Sequence, residues 1–208
     1  VDDADQMLWF SRFTWGEWAR GRVLNQSERV WQGEHDGYAR RGVHHARSVL
    51  LLGADRWLIV DHLVGNRPHR FSLQWLLNDF PHSVTPEQNL ILLSTETDKF
   101  QIRMGLLEGE AKFSTMRGDP NSTRGWRSRY YGQKEPALSI QLETNRIRAT
   151  FWTFFGFDED SIASSGQTLG LEIGRRALSL SIADLFTSEG LTRIANANMD
   201  NQTPLTLS

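Results

Sequence analysis

The chain has 208 residues, 39% hydrophobic and 23% charged, with a formal net charge of −2 and no cysteine. These values exclude a disordered polymer, a general nucleic-acid binder, disulfide staples and cysteine-based zinc sites. No apolar run approaches the ~20 residues of a membrane-spanning helix, and the length suits one large β domain, so 1–208 reads as a single unit.

In chain order, Leu8-Trp9-Phe10 and the stretch from Ala19 to Leu24 read as short strands around Gly16. Asn25 to Glu28 is a polar turn, and a strand through Val30 and Trp31 leads to Gly33. Asp36-Gly37 is a turn dipeptide. His45 to Leu52 becomes apolar and Gly53-Ala54-Asp55 breaks it, so Trp57 to Val64 completes a hairpin. Asn66-Arg67-Pro68 predicts a turn. His69 to Leu77 then alternates, with His69, Phe71, Leu73, Trp75 and Leu77 on one face, as a half-buried strand requires.

Asn89 to Ser94 and Lys99 to Leu107 form the next pair, with Phe100, Ile102, Met104 and Leu106 inward and Gln101 and Arg103 outward. Ala111 to Met116 is a shorter strand. Residues 117–135 are polar, rich in Gly and Arg, and read as a long loop carrying Trp126, Tyr130 and Tyr131. Ala137 to Thr144 alternates, Glu143 to Arg146 predicts a turn, and Ile147 to Phe157 is an aromatic strand. Leu169 to Ile173 and Arg176 to Ile182 close on a hairpin at Gly174, a helical turn can form between Ala183 and Ser188, and residues 196–208 read as a frayed tail. About a dozen strands without an amphipathic helix point to an all-β chain, an antiparallel β-sandwich.

The polar chemistry concentrates between Trp31 and Gly65. Three of the six histidines, His35, His44 and His45, fall within eleven residues, together with Asp36, Tyr38, Arg40 and Arg47. These types can bind a metal, but no ligand spacing supports one, and His44 and His45 point to opposite faces of a strand. No metal or other cofactor is therefore expected. Of 23 cationic residues only Lys99, Lys112 and Lys134 are lysines. The arginine fork matches carboxylates and sulfates, which suits an acidic sugar chain; a compositional bias explains the excess equally well. Trp126, Arg127 and Tyr130 in the long loop are of the types that stack on sugar rings and hold their acid groups, while Trp126 can equally plug the end of the sandwich. Trp57, Trp75 and Trp152 sit in strand patterns and are expected in the core.

The run GEHDGYARRGVHHARSVLLLGADRWLIVDHLVGNRPHRF resembles a signature region of heparinase II/III-like polysaccharide lyases. In that family a Gly-x-His-Asp-Gly-Tyr run precedes a His/Arg-rich strand and a Trp-x-(Val/Ile)-Val-Asp strand. Val1-Asp2-Asp3-Ala4-Asp5-Gln6 and Gly125-Trp126-Arg127-Ser128 with Tyr130-Tyr131-Gly132 resemble flanking stretches, so the similarity spans about residues 1–157. The resemblance implies the C-terminal β-sandwich portion of a larger lyase, preceded by a helical toroid. The chain, opening on VDDADQ without Met, then reads as an excised piece.

It also implies eliminative cleavage of an acidic, uronate-containing polysaccharide, and a periplasmic or secreted setting. Elimination needs a base, an acid and a group that neutralises the uronate carboxylate. His35, Tyr38 and His45 are candidates for proton transfer, and Arg40, Arg47, Trp126, Arg127 and Tyr130 for substrate binding. The resemblance places the family's main catalytic groups upstream of Val1, which leaves this chain one wall of the cleft and makes it inactive alone. The alternative is a non-catalytic carbohydrate-binding or structural sandwich.

Overall fold

The structure is a computed structural model that describes residues 1–53, 55–187 and 189–190. The tail at 196–208 lies outside the described residues. The strands are β1 (Leu8–Ser11), β2 (Thr14–Gly16), β3 (Gly21–Gln26), β4 (Val30–His35), β5 (Val43–Gly53), β6 (Arg56–Leu77), β7 (His82–Thr85), β8 (Leu90–Ser94), β9 (Lys99–Leu106), β10 (Lys112–Arg117), β11 (Trp126–Arg127), β12 (Glu135–Pro136), β13 (Leu138–Phe157), β14 (Ser161–Ser165), β15 (Thr168–Ile173) and β16 (Arg176–Ser181). Every pairing is antiparallel. Nine strands form one sheet in the order β3-β4-β5-β6-β13-β9-β8-β7, with β10 also on β13, and β14-β15-β16 form a second sheet. Among the described residues no helix is long and apolar enough to cross a membrane.

Two turns expected from sequence are absent, and the reason shapes the whole molecule. Asn66-Arg67-Pro68 lies inside the 22-residue strand β6, and Glu143 to Arg146 lies inside the 20-residue strand β13. His69 pairs with Arg146 and Val64 with Arg148, so Gly65, Asn66, Arg67 and Pro68 stand opposite Ile147 alone. Turn-forming residues are thus absorbed as a bulge, which bends a strand pair without ending it. Pro68, which cannot donate to a ladder, sits where the ladder is already broken. Gly65 is required there: a Cβ would lie 2.5 Å from His69 Cδ2.

The bend is large. Trp75 pairs with Ile140, yet its indole N–H donates to Thr153 Oγ1 at 3.0 Å and its ring meets Phe155 edge-on at 5.3 Å. Thr153 lies about 13 residues beyond Ile140 on the same strand, which in a straight strand is roughly 43 Å away. The β6–β13 pair therefore folds back over itself. The outer half, His69 to Leu77 with Leu138 to Arg146 and β10, covers the inner half, and Phe71, Leu73, Ile140 and Leu142 pack between them against Leu63, Ile102, Met104 and Phe151. This is the sandwich.

A third layer covers the other face of the inner half. Leu50, Leu58, Val60, Trp152 and Phe154 pack there against Ile162, Leu169, Leu171, Leu180 and Leu185 of the small sheet and its following turn. Covered on both faces, the inner strands carry consecutive apolar residues such as Phe151-Trp152 and Leu50-Leu51-Leu52 instead of alternating. The same double cover corrects the outward assignment of Gln101. It is buried, and its Nε2 donates to the carbonyls of Phe157 and Asp160, each at 2.6 Å. Trp152 is buried as expected, Trp75 is partly buried, and Trp57 is exposed at the surface.

Deleting a ring between the layers leaves a void that rigid strands on both sides cannot close. Phe151→Ala is expected to cost about 3–5 kcal/mol in urea unfolding. Ile147→Ala, at the half-exposed apex of the bulge, should stay within about 0.5 kcal/mol of the parent.

Candidate functional site

The ends of β4 and β5 carry the histidines. His35 and His45 are direct cross-strand partners and share a face. His35 Nε2 lies 2.7 Å from His45 Nδ1, His45 Nε2 lies 2.7 Å from Asp61 Oδ1, and the backbone N–H of Gly37 donates to His35 Nδ1 at 3.1 Å. That last donor settles the direction of the chain. It leaves His35 its proton on Nε2, which donates to His45 Nδ1, so His45 keeps its proton on Nε2 and donates to Asp61.

Asp61 is closed off from the other side by Arg47, whose Nε and Nη2 donate to its two oxygens at 2.7 and 3.1 Å. Burial pushes the Asp61 carboxyl up, and the bonds from His45 and Arg47 outweigh it, holding the group below its ordinary value. Burial, with help from the neighbouring His45 and Arg47, lowers His35 to about 4. Arg47 also lies 5.4 Å from the Trp75 ring centroid, so the network sits between the inner and outer layers.

Tyr38 joins this group. Its ring is 5.5 Å from that of His35, and burial raises its phenol above the ordinary value. Tyr38, Gln6, His45, Arg47 and Asp61 line a cavity of about 240 Å³ that Leu63, Leu73 and Phe151 complete. The N-terminal segment is pinned beside it. Asp2 accepts from the backbone N–H of Arg70 at 2.9 Å and bonds the buried His69 at 2.8 Å. His69 is thus a satisfied histidine on the apolar side of its strand.

The opposite side of the same strand ends forms a larger groove of about 590 Å³, lined by Arg20, Arg22, Glu34, His35, Asp36, His44 and Asn66 among others. Arg22 donates to Glu34 Oε1 from Nε at 2.9 Å and from Nη2 at 2.5 Å, and His44 Nε2 meets Glu34 Oε2 at 2.9 Å. The Arg22 and His44 bonds hold the Glu34 carboxyl below its ordinary value. The Nε2 of His44 is thus taken by Glu34, while its side chain, 55% exposed, turns Nδ1 to the groove. Sequence reading weighed His44 only as a metal ligand. The signal for its pairing was diagonal: Glu34 stands opposite Ala46, two residues from His44 on β5, which is seen only once β4 and β5 are aligned.

The other sequence-chosen residues sit elsewhere or are already engaged. Arg40 pairs with Glu17. Arg127 donates to Glu135 Oε1 at 2.6 Å and Asn78 Oδ1 at 3.1 Å. The Trp126 indole N–H is held by the carbonyls of Asp119 and Ser122, and the Lys134 ammonium lies 4.1 Å from its ring centroid. Tyr130 and Tyr131 are exposed. Trp126, Arg127 and Tyr130 line neither the cavity nor the groove. Among the described residues no three His, Asp or Glu side chains are grouped to hold a metal ion, and Arg47 occupies both oxygens of the best-placed carboxylate, Asp61.

A sequence profile of the family described as "Heparinase II/III-like, C-terminal" matches residues 1–169. The chain belongs to the heparinase II/III-like family, in its C-terminal region. Solved heparinase structures share the fold. A crystal structure of heparinase III superposes with a TM-score of 0.62 at 16% identity, over 77% of this chain and 27% of that one. The heparinase III BT4657 gene product gives 0.59 at 13%, over 78% and 27%. Heparan sulfate lyase HepC from Pedobacter heparinus gives 0.58 at 14%, also over 78% and 27%. The chain thus spans about a quarter of the length of the heparinases it resembles. No curated protein matches it.

The half-buried His35 of this heparinase-like sandwich makes its stability pH-dependent. Unfolded, His35 takes a proton below its ordinary value of 6.5; folded, only near about 4. The unfolded chain therefore binds more protons in that window, so stability is complete above pH 6.5 and declines as the pH drops towards 4. Burial lowers His62 as well, in the same sense. Melting temperatures measured across this range should fall with acid, and His35→Gln should flatten the decline only in part.

Proposed function

We propose that the chain is the β-sandwich part of a polysaccharide lyase that cleaves an acidic, uronate-containing polysaccharide by β-elimination, with the His44 groove as one wall of the substrate cleft. The observation that carries this reading is the Arg22–Glu34–His44 array. It presents an imidazole with one nitrogen fixed and the other open, in a groove within the roughly 300–1,000 Å³ typical of ligand sites. His35 and His45, by contrast, spend every ring nitrogen on each other, Gly37 and Asp61, and so hold the wall in shape.

Elimination removes the proton on the carbon beside the uronate carboxylate, breaks the bond from the adjacent carbon to the glycosidic oxygen, and leaves a carbon–carbon double bond; a proton goes to the departing oxygen. His44 Nδ1 suits proton acceptance, with Glu34 steadying the imidazolium that forms. Arg20 lines the same groove, with its backbone N–H donating to Asp36 Oδ1 at 2.6 Å and its guanidinium engaging none of the described carboxylates. It suits the substrate carboxylate. The heparinase structures are about three times as long, which supports an opposite wall drawn from elsewhere in the polypeptide.

A second reading, carbohydrate binding without catalysis, is favoured by the exposed Tyr130 and Tyr131 rings, which lie outside the groove on an arginine-rich loop.

The test is the ultraviolet absorbance of unsaturated uronates released from heparan sulfate, alginate and related chains. The 208-residue chain alone should release none, because elimination needs groups held together on both sides of one sugar. In the complete polypeptide His44→Ala should lower kcat by about 10²–10⁴ without altering the melting temperature. Full activity of that variant would end His44's role. Affinity of the 208-residue chain for uronate oligosaccharides should weaken as salt rises, because arginine contacts are screened; a preference for neutral glycans would reject the acidic substrate class.

A further inference from the structure

Away from the histidines, the ladder of the nine-stranded sheet breaks off at one point and leaves a pocket of about 310 Å³ between β9, β14 and the 3-10 turn Pro86–Gln88. It shares no lining residue with the His44 groove or with the cavity at Asp61. The break follows from backbone geometry. The Leu107 N–H donates to the Thr150 carbonyl at 2.9 Å, on the β13 side, whereas the Met104 N–H donates the other way, to the Asn89 carbonyl at 3.1 Å. Antiparallel alternation turns the Leu106 N–H and carbonyl the same way as those of Met104. There β8 has already ended. Its first residue, Leu90, pairs with Arg103, Asn89 takes a left-handed φ of 49°, and the chain before it coils into the turn. The Leu106 N–H therefore meets no hydrogen-bond partner among the described residues, and Leu106 lines the pocket.

Two more donors in the lining are unclaimed. Arg103 is half-buried, and its guanidinium makes no hydrogen bond or ion pair with a described residue. The Trp152 indole lies over Gly105, where a Cβ would stand 2.6 Å from Nε1, and that N–H is buried without a partner. A buried donor left unmatched is destabilising, and one acceptor oxygen would serve it. Among the described residues Arg146, likewise without a partner, has its guanidinium against Gly109 of the lining. The one carboxylate of the lining, Glu87, is exposed. A guanidinium beside free N–H groups matches an oxyanion. The volume, at the lower end of the roughly 300–1,000 Å³ typical of ligand sites, exceeds what a bare sulfate fills. The side chains of Gln88, Asn89 and Ser164, with the Leu106 carbonyl, can pair with hydroxyls. Together these groups fit an acid group carried on a polyhydroxylated ring.

We infer that this pocket is a second sugar-binding site, separate from the groove, for a single ring bearing a carboxylate or sulfate. Arg103, the Leu106 N–H and the Trp152 N–H donate to its oxygens, and Gln88, Asn89 and Ser164 take its hydroxyls. Glu87 opposes the acid group and limits the affinity. The site goes beyond the lyase reading and does not rest on it, because an acidic sugar can be held here whether or not the groove cleaves one.

Nuclear magnetic resonance on the isotope-labelled 208-residue chain reads the site through the Leu106 amide and the Trp152 indole N–H, the latter assigned with Trp152→Phe. At constant ionic strength glucuronate should move both signals saturably, and glucose should move neither. Arg103→Gln should weaken the binding about tenfold or more. Ser164→Asp, which adds a like charge at an exposed position, should weaken it too, and Glu87→Gln, also exposed, should tighten it. The last two variants decide the matter if Arg103→Gln does not fold. Absence of a saturable shift overturns the inference, as do equal shifts with glucose or a titration that neither charge variant alters. Sodium sulfate binding as tightly as glucuronate would make the pocket a simple anion site and overturn the sugar assignment. His44→Ala should leave the titration of both signals unchanged, and a titration lost with His44 would assign the binding to the groove and overturn the second site. Lyase assays on the complete polypeptide keep the two readings apart: a parent without cleavage sinks the lyase reading and leaves this site, whereas cleavage with no shift at Leu106 or Trp152 does the reverse.

Discussion

Gly65 to Pro68 against Ile147, four residues facing one, cannot be accommodated in a straight ladder. The strand pair has to turn at that point, and two strands of 22 and 20 residues fold back over themselves as a unit. Much else follows from that mismatch. It brings Phe71 over Phe151 and Trp75 onto Thr153, and it converts one sheet into two facing layers with a common core. The bend is secured locally, by Asp2 bonding His69 and the Arg70 backbone, and by the Asn66 N–H donating to the Gly42 carbonyl at 3.0 Å. Chain direction, core and N-terminal segment are thus fastened at one corner.

The polar network depends on the same corner. Asp61 is in the inner layer, Arg47 bridges it to Trp75 of the outer layer, and the His35–His45 chain leads from Asp61 to the Gly37 backbone. Buried charge of this kind is costly unless each donor and acceptor is matched, and here the Asp61 oxygens accept from Arg47 and His45. The array therefore fixes the geometry of the β4–β5 ends. On the other side of those ends, the solvent-open Glu34–His44 pair keeps one nitrogen uncommitted. Rigidity lies on one face and chemical freedom on the other, as a site built on strands needs.

Much of this was legible in the sequence because period-two patterns survive wherever one face meets solvent. His69 to Leu77 was read correctly face by face for that reason. The inner strands were harder. Gln101 was placed outside because alternation cannot report a second covering layer, and the buried carbonyls that hold it become visible only once the Phe157–Asp160 turn is in place. Asn66 to Pro68 was read as a chain reversal because local chemistry is the same for a turn and for a bulge, and Glu143 to Arg146, also read as a turn, pairs in unbroken register with Ser72 to His69; only the partner strand reveals either. In the candidate site, residue types located the right stretch, and His35, Tyr38, His45 and Arg47 do assemble. Which nitrogen is free, and which arginine is already neutralised, depends on register and on side chains distant in sequence, such as Asp61 for Arg47 and Glu135 for Arg127.

The small sheet bears on where the folding unit stops. The family match ends at residue 169, inside β15, whereas Leu171, Ile173, Leu180, Ile182 and Leu185 still pack over Leu50, Leu58, Val60, Trp152 and Phe154. A fragment trimmed to the matched segment would keep the inner and outer layers yet strip the lid from the second core and leave β14 with two of its five partners, Thr168 and Leu169. Such a fragment would present a bare apolar floor beside an unpaired strand edge, the combination that drives sheet-to-sheet aggregation. The evolutionary unit and the soluble unit of this chain therefore have different C-terminal borders.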